Sequence, residues 1–170
     1  LVREGKWQKL VKEKLSAYQI SGEYSMPSPA RTIDEIVMIG LTKQYSTFVI
    51  CGSDSFINRV ISNLINLYYK NPAKQIVIGL IPSDPKSLIA ENLDLTNLDD
   101  ICLTLQQRYF TKFSIGYLEP NKFFFSPLII EQPTNVKIFI STSEYQMTTY
   151  CYKIFIDSEL NLTIVSKKQE

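Results

Sequence analysis

Residues 47–64 read Thr47-Phe48-Val49-Ile50-Cys51-Gly52-Ser53-Asp54-Ser55-Phe56-Ile57-Asn58-Arg59-Val60-Ile61-Ser62-Asn63-Leu64, and the fold turns on this stretch. Thr47 to Cys51 is an apolar, β-rich run that ends at Gly52, the pattern of a strand covered on both faces. The polar turn Ser53-Asp54-Ser55 follows. Ile57, Val60, Ile61, Leu64 and Tyr68 then recur at three- and four-residue spacing, which predicts an amphipathic helix that Asn71-Pro72 stops. Gln75-Ile76-Val77-Ile78-Gly79-Leu80-Ile81 is a second buried-strand run, closed by Pro82. Strand, helix and strand in this order predict a parallel pair joined by a helical crossover.

Upstream, Trp7, Leu10, Val11, Leu15 and Tyr18 mark an amphipathic helix over roughly 5–19. Ser21-Gly22 ends it, Glu23–Met26 reads as a short strand, and Pro27 and Pro29 punctuate a loop. Thr32-Ile33-Asp34-Glu35 is a capping box that opens another helix. Downstream, a short helix is expected near Ser87–Asn92, and Thr96-Asn97-Leu98-Asp99 caps one more. From about residue 108 period-2 runs take over: 112–118, 122–130, 136–140, 145–157 and 160–165. Turn signals at Glu119-Pro120-Asn121, Gln132–Asn135 and Asp157-Ser158-Glu159 separate them. The expected fold is an α/β front lobe with a mostly parallel sheet (1–107), followed by an antiparallel β lobe (108–170).

Composition narrows the function. The chain has 170 residues, and Lys+Arg 18 against Asp+Glu 17 gives a net charge of +1, so nucleic acid is not expected as the main partner. Histidine is absent, which removes imidazole nucleophile pairs, His-ligated zinc and a histidine proton shuttle. Cys51, Cys102 and Cys151 are too dispersed for a Cys-x-x-Cys motif and read as small buried hydrophobes in a reducing, cytoplasmic setting. No apolar run is long enough to span a membrane. The start, Leu1-Val2-Arg3-Glu4-Gly5, is not a signal peptide, and it lacks an initiator Met, so residues are expected upstream.

Two joints are candidate sites. Ligands of open α/β sheets bind beyond the carboxyl ends of the strands, where a helix start offers free N–H groups and a positive dipole end. At the first joint Gly52 lets the backbone approach a ligand, Ser53 and Ser55 can donate to phosphate oxygens, and Asp54 can hold Mg²⁺ or a sugar hydroxyl. The competing use is structural, with Asp54 or Ser55 capping the helix. The second joint is Ile81-Pro82-Ser83-Asp84-Pro85-Lys86-Ser87, where Lys86 can meet phosphate and Asp84 a metal. Its competing use is a proline-bracketed turn with Ser87 as a cap.

The segment Val49–Leu64 resembles the V-V-G-G-D-G-T-x-N-E-V-x-N-G-L segment of the diacylglycerol kinase catalytic domain, a family that includes bacterial lipid kinases and sphingosine kinases. Its next signature, I-P-L-G-T-G-N-D-F-A-R, falls on Ile81–Glu91 at similar spacing. Phe113-Ser114-Ile115-Gly116-Tyr117 with Lys122–Phe125 is similar to the V-D-L-G-x-V-N-x-x-x-F stretch, and Asp157–Val165 to D-G-L-L-D-V-V-I-V. The likeness covers most of the chain in order, but few identities survive. Of G-G-D-G-T only Gly52 and Asp54 remain, with Ser53, Ser55 and Phe56 in the other places; of the second signature only Ile81, Pro82 and Ala90 remain.

The resemblance implies a shortened two-lobe lipid kinase architecture using ATP and Mg²⁺ to phosphorylate a lipid hydroxyl at a membrane surface. Gly52, Ser53, Asp54 and Ser55 would lie at the nucleotide phosphates, Asp54 would be the metal ligand, and Asp157 would be the catalytic group at the acceptor hydroxyl. Lys86 near the γ-phosphate is an assignment from its position alone. The lost glycines and hydroxyl are positioning elements, and phosphoryl transfer depends chiefly on positioning. The expectation is therefore a diverged lipid kinase-like domain that is weak or inactive. The alternatives are a lipid- or protein-binding module of the same fold, or an unrelated α/β interaction domain. Under the last, Phe123-Phe124-Phe125 is either an exposed adhesive edge or a run alternating between two cores. Open strand edges would also allow pairing into a homodimer.

Overall fold

The computed structural model describes residues 2–69, 75–113, 115–118, 122–124, 128–141, 146–157 and 161–166. The chain separates into two compact units, Leu1–Phe125 and Ser126–Glu170. The first holds α1 (Val2–Ala17), α2 (Ile33–Thr42), β1 (Thr47–Gly52), α3 (Asp54–Tyr69), β2 (Val77–Pro82), α4 (Leu88–Asn92), α5 (Leu98–Gln107), β3 (Gly116–Leu118) and β4 (Lys122–Phe124). The second holds β5 (Leu128–Ser141), β6 (Gln146–Ile156) and β7 (Leu162–Val165). The fold is thus mixed α/β. It has a small parallel sheet, β1–β2, and two antiparallel sheets, β3–β4 and β5-β6-β7.

β1 and β2 run parallel from Thr47↔Val77 to Gly52↔Pro82. Successive side chains of a strand point to opposite faces, and here each face has its own core. Phe48, Ile50, Ile78 and Leu80 join Ile33 and Val37 of α2, Ile57, Val60, Ile61 and Leu64 of α3, and Ile89 of α4. Val49, Cys51 and Ile81 join Val11 and Leu15 of α1 and Ile101 and Cys102 of α5. Helices on both faces explain why the two strands read as continuous apolar runs rather than alternating ones. α3 buries its face at the i, i+3, i+4, i+7 spacing read from the sequence, and Ile57 is 0% exposed. Gly79 of β2 lies directly beneath α5: a Cβ there would stand 2.6 Å from Leu105 Cδ2 and 3.3 Å from Val49 Cγ2.

The starts of α2, α4 and α5 follow their sequence signals. Thr32 Oγ1 accepts from the Glu35 N–H at 3.3 Å and Glu35 Oε2 accepts from the Thr32 N–H at 2.7 Å, closing the capping box. Ser87 caps α4 through the Ala90 N–H, and Asn97 caps α5 through the Asp99 N–H. The helix ends are less orthodox. Gln19, Gln44, Asp94 and Arg108 all have left-handed backbones, φ 57°, 63°, 53° and 54°, in turns that follow α1, α2, α4 and α5, and no described glycine has positive φ.

Two expectations are corrected. Glu23–Met26 is not a strand: these residues are exposed, with only an isolated bridge between Ser28 and Arg31 nearby, because no neighbouring strand supplies a ladder. Gln132–Asn135 does not separate two strands. β5 runs through it, and between Glu131↔Lys153 and Val136↔Cys151 β5 advances five residues while β6 moves two, leaving three extra residues on β5. Pro133 is tolerated there because a bulged edge strand needs no N–H at that point. β3 and β4 group with the helical unit, with the Phe123 N–H donating to Ser62 Oγ of α3 at 3.3 Å. Phe123 and Phe124 are half-buried, the Phe124 ring covering Gly116, while Phe125 lies outside the described residues.

α1 is tied to α5 by an ion pair. Lys14 Nζ donates to Asp99 Oδ1 at 2.6 Å and Oδ2 at 2.9 Å, and the Tyr18 hydroxyl donates to Oδ1 at 3.2 Å. The Lys14 hydrogen bond holds the Asp99 carboxyl below its ordinary range; Lys43 and Tyr45 do the same for Glu23. A lowered folded-state pKa adds stability above the unfolded value, and that stability is lost as pH falls through the folded one. Melting temperature is therefore expected to drop on acidification below about pH 4. Asp99→Asn should lower the melting temperature at neutral pH while flattening this acid limb; an unchanged limb in a melt-versus-pH series would refute the linkage.

Candidate functional site

The two joints singled out in the sequence lie side by side. Parallel pairing brings Gly52 and Pro82 into register at the carboxyl ends of β1 and β2, and the Ser83 N–H donates to the Gly52 carbonyl at 2.8 Å. Asp54, the first residue of α3, reaches across: its Oδ2 accepts from the Ile89 N–H of α4 at 3.1 Å. Gly52, Ser53, Asp54, Ser55 and the Ser83–Ser87 loop with Lys86 therefore share one end of the sheet.

Most of the polar groups there are engaged locally. The Ser53 carbonyl accepts from the Ile57 N–H at 2.9 Å, and its hydroxyl lies 3.4 Å from the Phe56 nitrogen and 3.3 Å from Ser55 Oγ. Ser53 is thus the cap of α3, where the sequence suggested Asp54 or Ser55. Asp54 caps α4 instead, jointly with Ser87, so that one donor at the start of that helix goes to each. The other carboxylate oxygen of Asp54, Oδ1, is buried and has no hydrogen-bond partner among the described residues. The Lys86 N–H donates to Asp84 Oδ1 at 2.9 Å, an Asx turn, and Lys86 itself is exposed.

Phe56 lies against the glycine at this end of the sheet. A Cβ built on Gly52 would meet Phe56 Cδ1 at 2.7 Å and Cγ at 3.3 Å. The benzyl side chain thus lies over the glycine, and Phe56 also packs on the α2–α3 core. The close approach that Gly52 permits is used by a ring of its own chain. At this turn the Phe56 N–H goes to the Ser53 hydroxyl and the Ile57 N–H to the Ser53 carbonyl, while an apolar ring lies against Gly52.

Asp157 belongs to the second unit. There its Oδ1 accepts from the Asn161 N–H at 2.8 Å and its Oδ2 from Asn161 Nδ2 at 3.0 Å, while its own N–H donates to the Asn161 carbonyl at 3.1 Å. These contacts close the β6–β7 connection. Among the described residues no group of three or more His, Cys, Asp or Glu is arranged to hold a metal ion. The cysteines are free thiols, and burial pushes Cys51 up to about 12, far from a reactive thiolate. Among the described residues no helix is long and apolar enough to cross a membrane.

Comparison with protein-family models, curated proteins and solved structures finds no match for this chain.

The strand expected over 112–118 is confined to Gly116–Leu118, and the exposed aromatic residues that precede it were not singled out from the sequence as a surface. Tyr109 and Phe110 are 72% and 69% exposed, and Phe113 and Tyr117 about half. The available signal was three aromatic residues interspersed with Arg108 and Lys112 and no acid.

Proposed function

We propose that this chain is a diverged, lipid kinase-like two-lobe domain that binds rather than phosphorylates. The pairing of the two loops at one end of a parallel sheet supports kinship with that architecture. The Phe56 ring over Gly52 carries the non-catalytic reading. A phosphate cradle needs convergent N–H groups and room beside a glycine, and here that room is filled from within while Asp54 serves as a helix cap. Asp157, the position the resemblance would make catalytic, is engaged on both oxygens by Asn161.

The test is a thermal-shift titration with ATP–Mg²⁺ to millimolar concentration, paired with labelled phosphate transfer to diacylglycerol and sphingosine. No stabilisation is expected, and no turnover above an Asp54→Ala control. A ligand at about 100 times its Kd would stabilise the fold by about 2.7 kcal/mol, which such a titration would register. Turnover that Asp54→Ala abolishes would overturn the proposal.

A second reading, an active kinase, is favoured by one observation. Asp54 Oδ1 is a buried carboxylate oxygen without a hydrogen-bond partner among the described residues, and a buried acceptor of this kind is costly unless something pairs with it. Under that reading Asp54 would hold Mg²⁺, and the titration above separates the two.

A further inference from the structure

We propose that the segment following α5 docks the protein on an anionic lipid surface. Arg108 has a left-handed backbone, φ 54°, and ends α5, its N–H donating to the Leu105 carbonyl at 3.3 Å; the Tyr109 N–H donates to the Thr104 carbonyl at 3.2 Å. The chain leaves the helix at this turn, and the next residues present their rings to solvent. Tyr109 is 72% exposed, Phe110 69% and Phe113 50%. Single exposed hydrophobics are ordinary, but neighbouring phenyl and phenol rings exposed to this degree mark a contact surface.

The charge around them selects the occupant. Between Asp100 and Glu119 the sequence carries Arg108 and Lys112 and no acidic residue. Both cations are exposed and bracket Tyr109 and Phe110. Tyr and Phe beside Arg and Lys suit the interface of a bilayer: the rings enter the headgroup region while the cations meet anionic lipid. A nucleic acid strand would need a longer track of phosphate contacts than two cations supply in a chain of net charge +1. This surface includes neither of the loops at the end of the parallel sheet and does not depend on the lipid kinase reading.

The experiment is flotation of the full 170-residue chain with phosphatidylcholine vesicles, with and without phosphatidylserine. Binding is expected only with phosphatidylserine, and it should weaken with added salt. Arg108→Gln with Lys112→Gln should weaken it roughly thirtyfold, at about fivefold for each cation lost. Tyr109→Ser with Phe110→Ser should weaken it by at least about tenfold. All four residues are exposed, so the variants should keep the parent circular dichroism and melting temperature. Four results would each overturn the proposal: no flotation with anionic vesicles; binding by both double variants equal to that of the parent; tighter binding to a single-stranded oligonucleotide than to vesicles; or self-association abolished by the aromatic pair.

Discussion

Ile57→Ala is expected to destabilise the first unit by about 3–4 kcal/mol. Ile57 is fully buried on α3 and belongs to the core formed by α2, β1, β2 and α4. Shortening it removes apolar surface from a site that several elements enclose, so the walls cannot all close at once and a cavity remains. Arg59, two residues along the same helix and exposed, provides the contrast: Arg59→Ala should change stability by less than about 0.5 kcal/mol. Urea unfolding of the three proteins decides the matter. If Ile57→Ala loses less than about 1 kcal/mol, α3 is not the helix that organises this core.

The second large effect comes from adding atoms rather than removing them. Gly79→Val should cost about 2–3 kcal/mol, because the new side chain enters a space held by Leu105 of α5 and Val49 of β1. The strand cannot retreat, since its other face carries Ile78 and Leu80 against the α2–α3 core. Either the Leu105 side chain leaves its packed position or α5 lifts, straining the contact of Ile101 and Cys102 with Val11 and Leu15. Leu105→Ala alone should also destabilise, yet combined with Gly79→Val it should restore about 1 kcal/mol or more, because the shortened side chain makes room. Strictly additive losses in a double-mutant cycle would show that the steric account is wrong.

Where backbone demands and side-chain pattern agree, the fold was legible. β1, α3 and β2 follow directly from 47–81, because a two-faced strand and a one-faced helix leave different periodicities. Thr32, Ser87 and Asn97 were legible as caps because a short hydroxyl or amide before an apolar helix has one natural use there. Glu23–Met26 and Gln132–Asn135 were misread for the same reason: strand continuity depends on a partner strand, which local sequence does not contain. The candidate site was half legible. Sequence order brought the two joints to one end of the sheet, but the cap of α3 passed to Ser53 and Asp54 crossed to α4, a tertiary contact 35 residues apart. Phe56 was visible as a replaced hydroxyl. That its ring would settle on Gly52 depends on a rotamer, and no spacing rule encodes that.

Gln19, Gln44, Asp94 and Arg108 bend their chains in a conformation that side chains with a Cβ adopt at a cost of roughly 1 kcal/mol each. Four helices therefore terminate under mild, separate tension. Such a protein holds an unspent reserve: a lineage that accumulated damaging changes in its interior, or remade one of its surfaces, could recover robustness by relaxing any of these corners to glycine, without disturbing the packed layers they join.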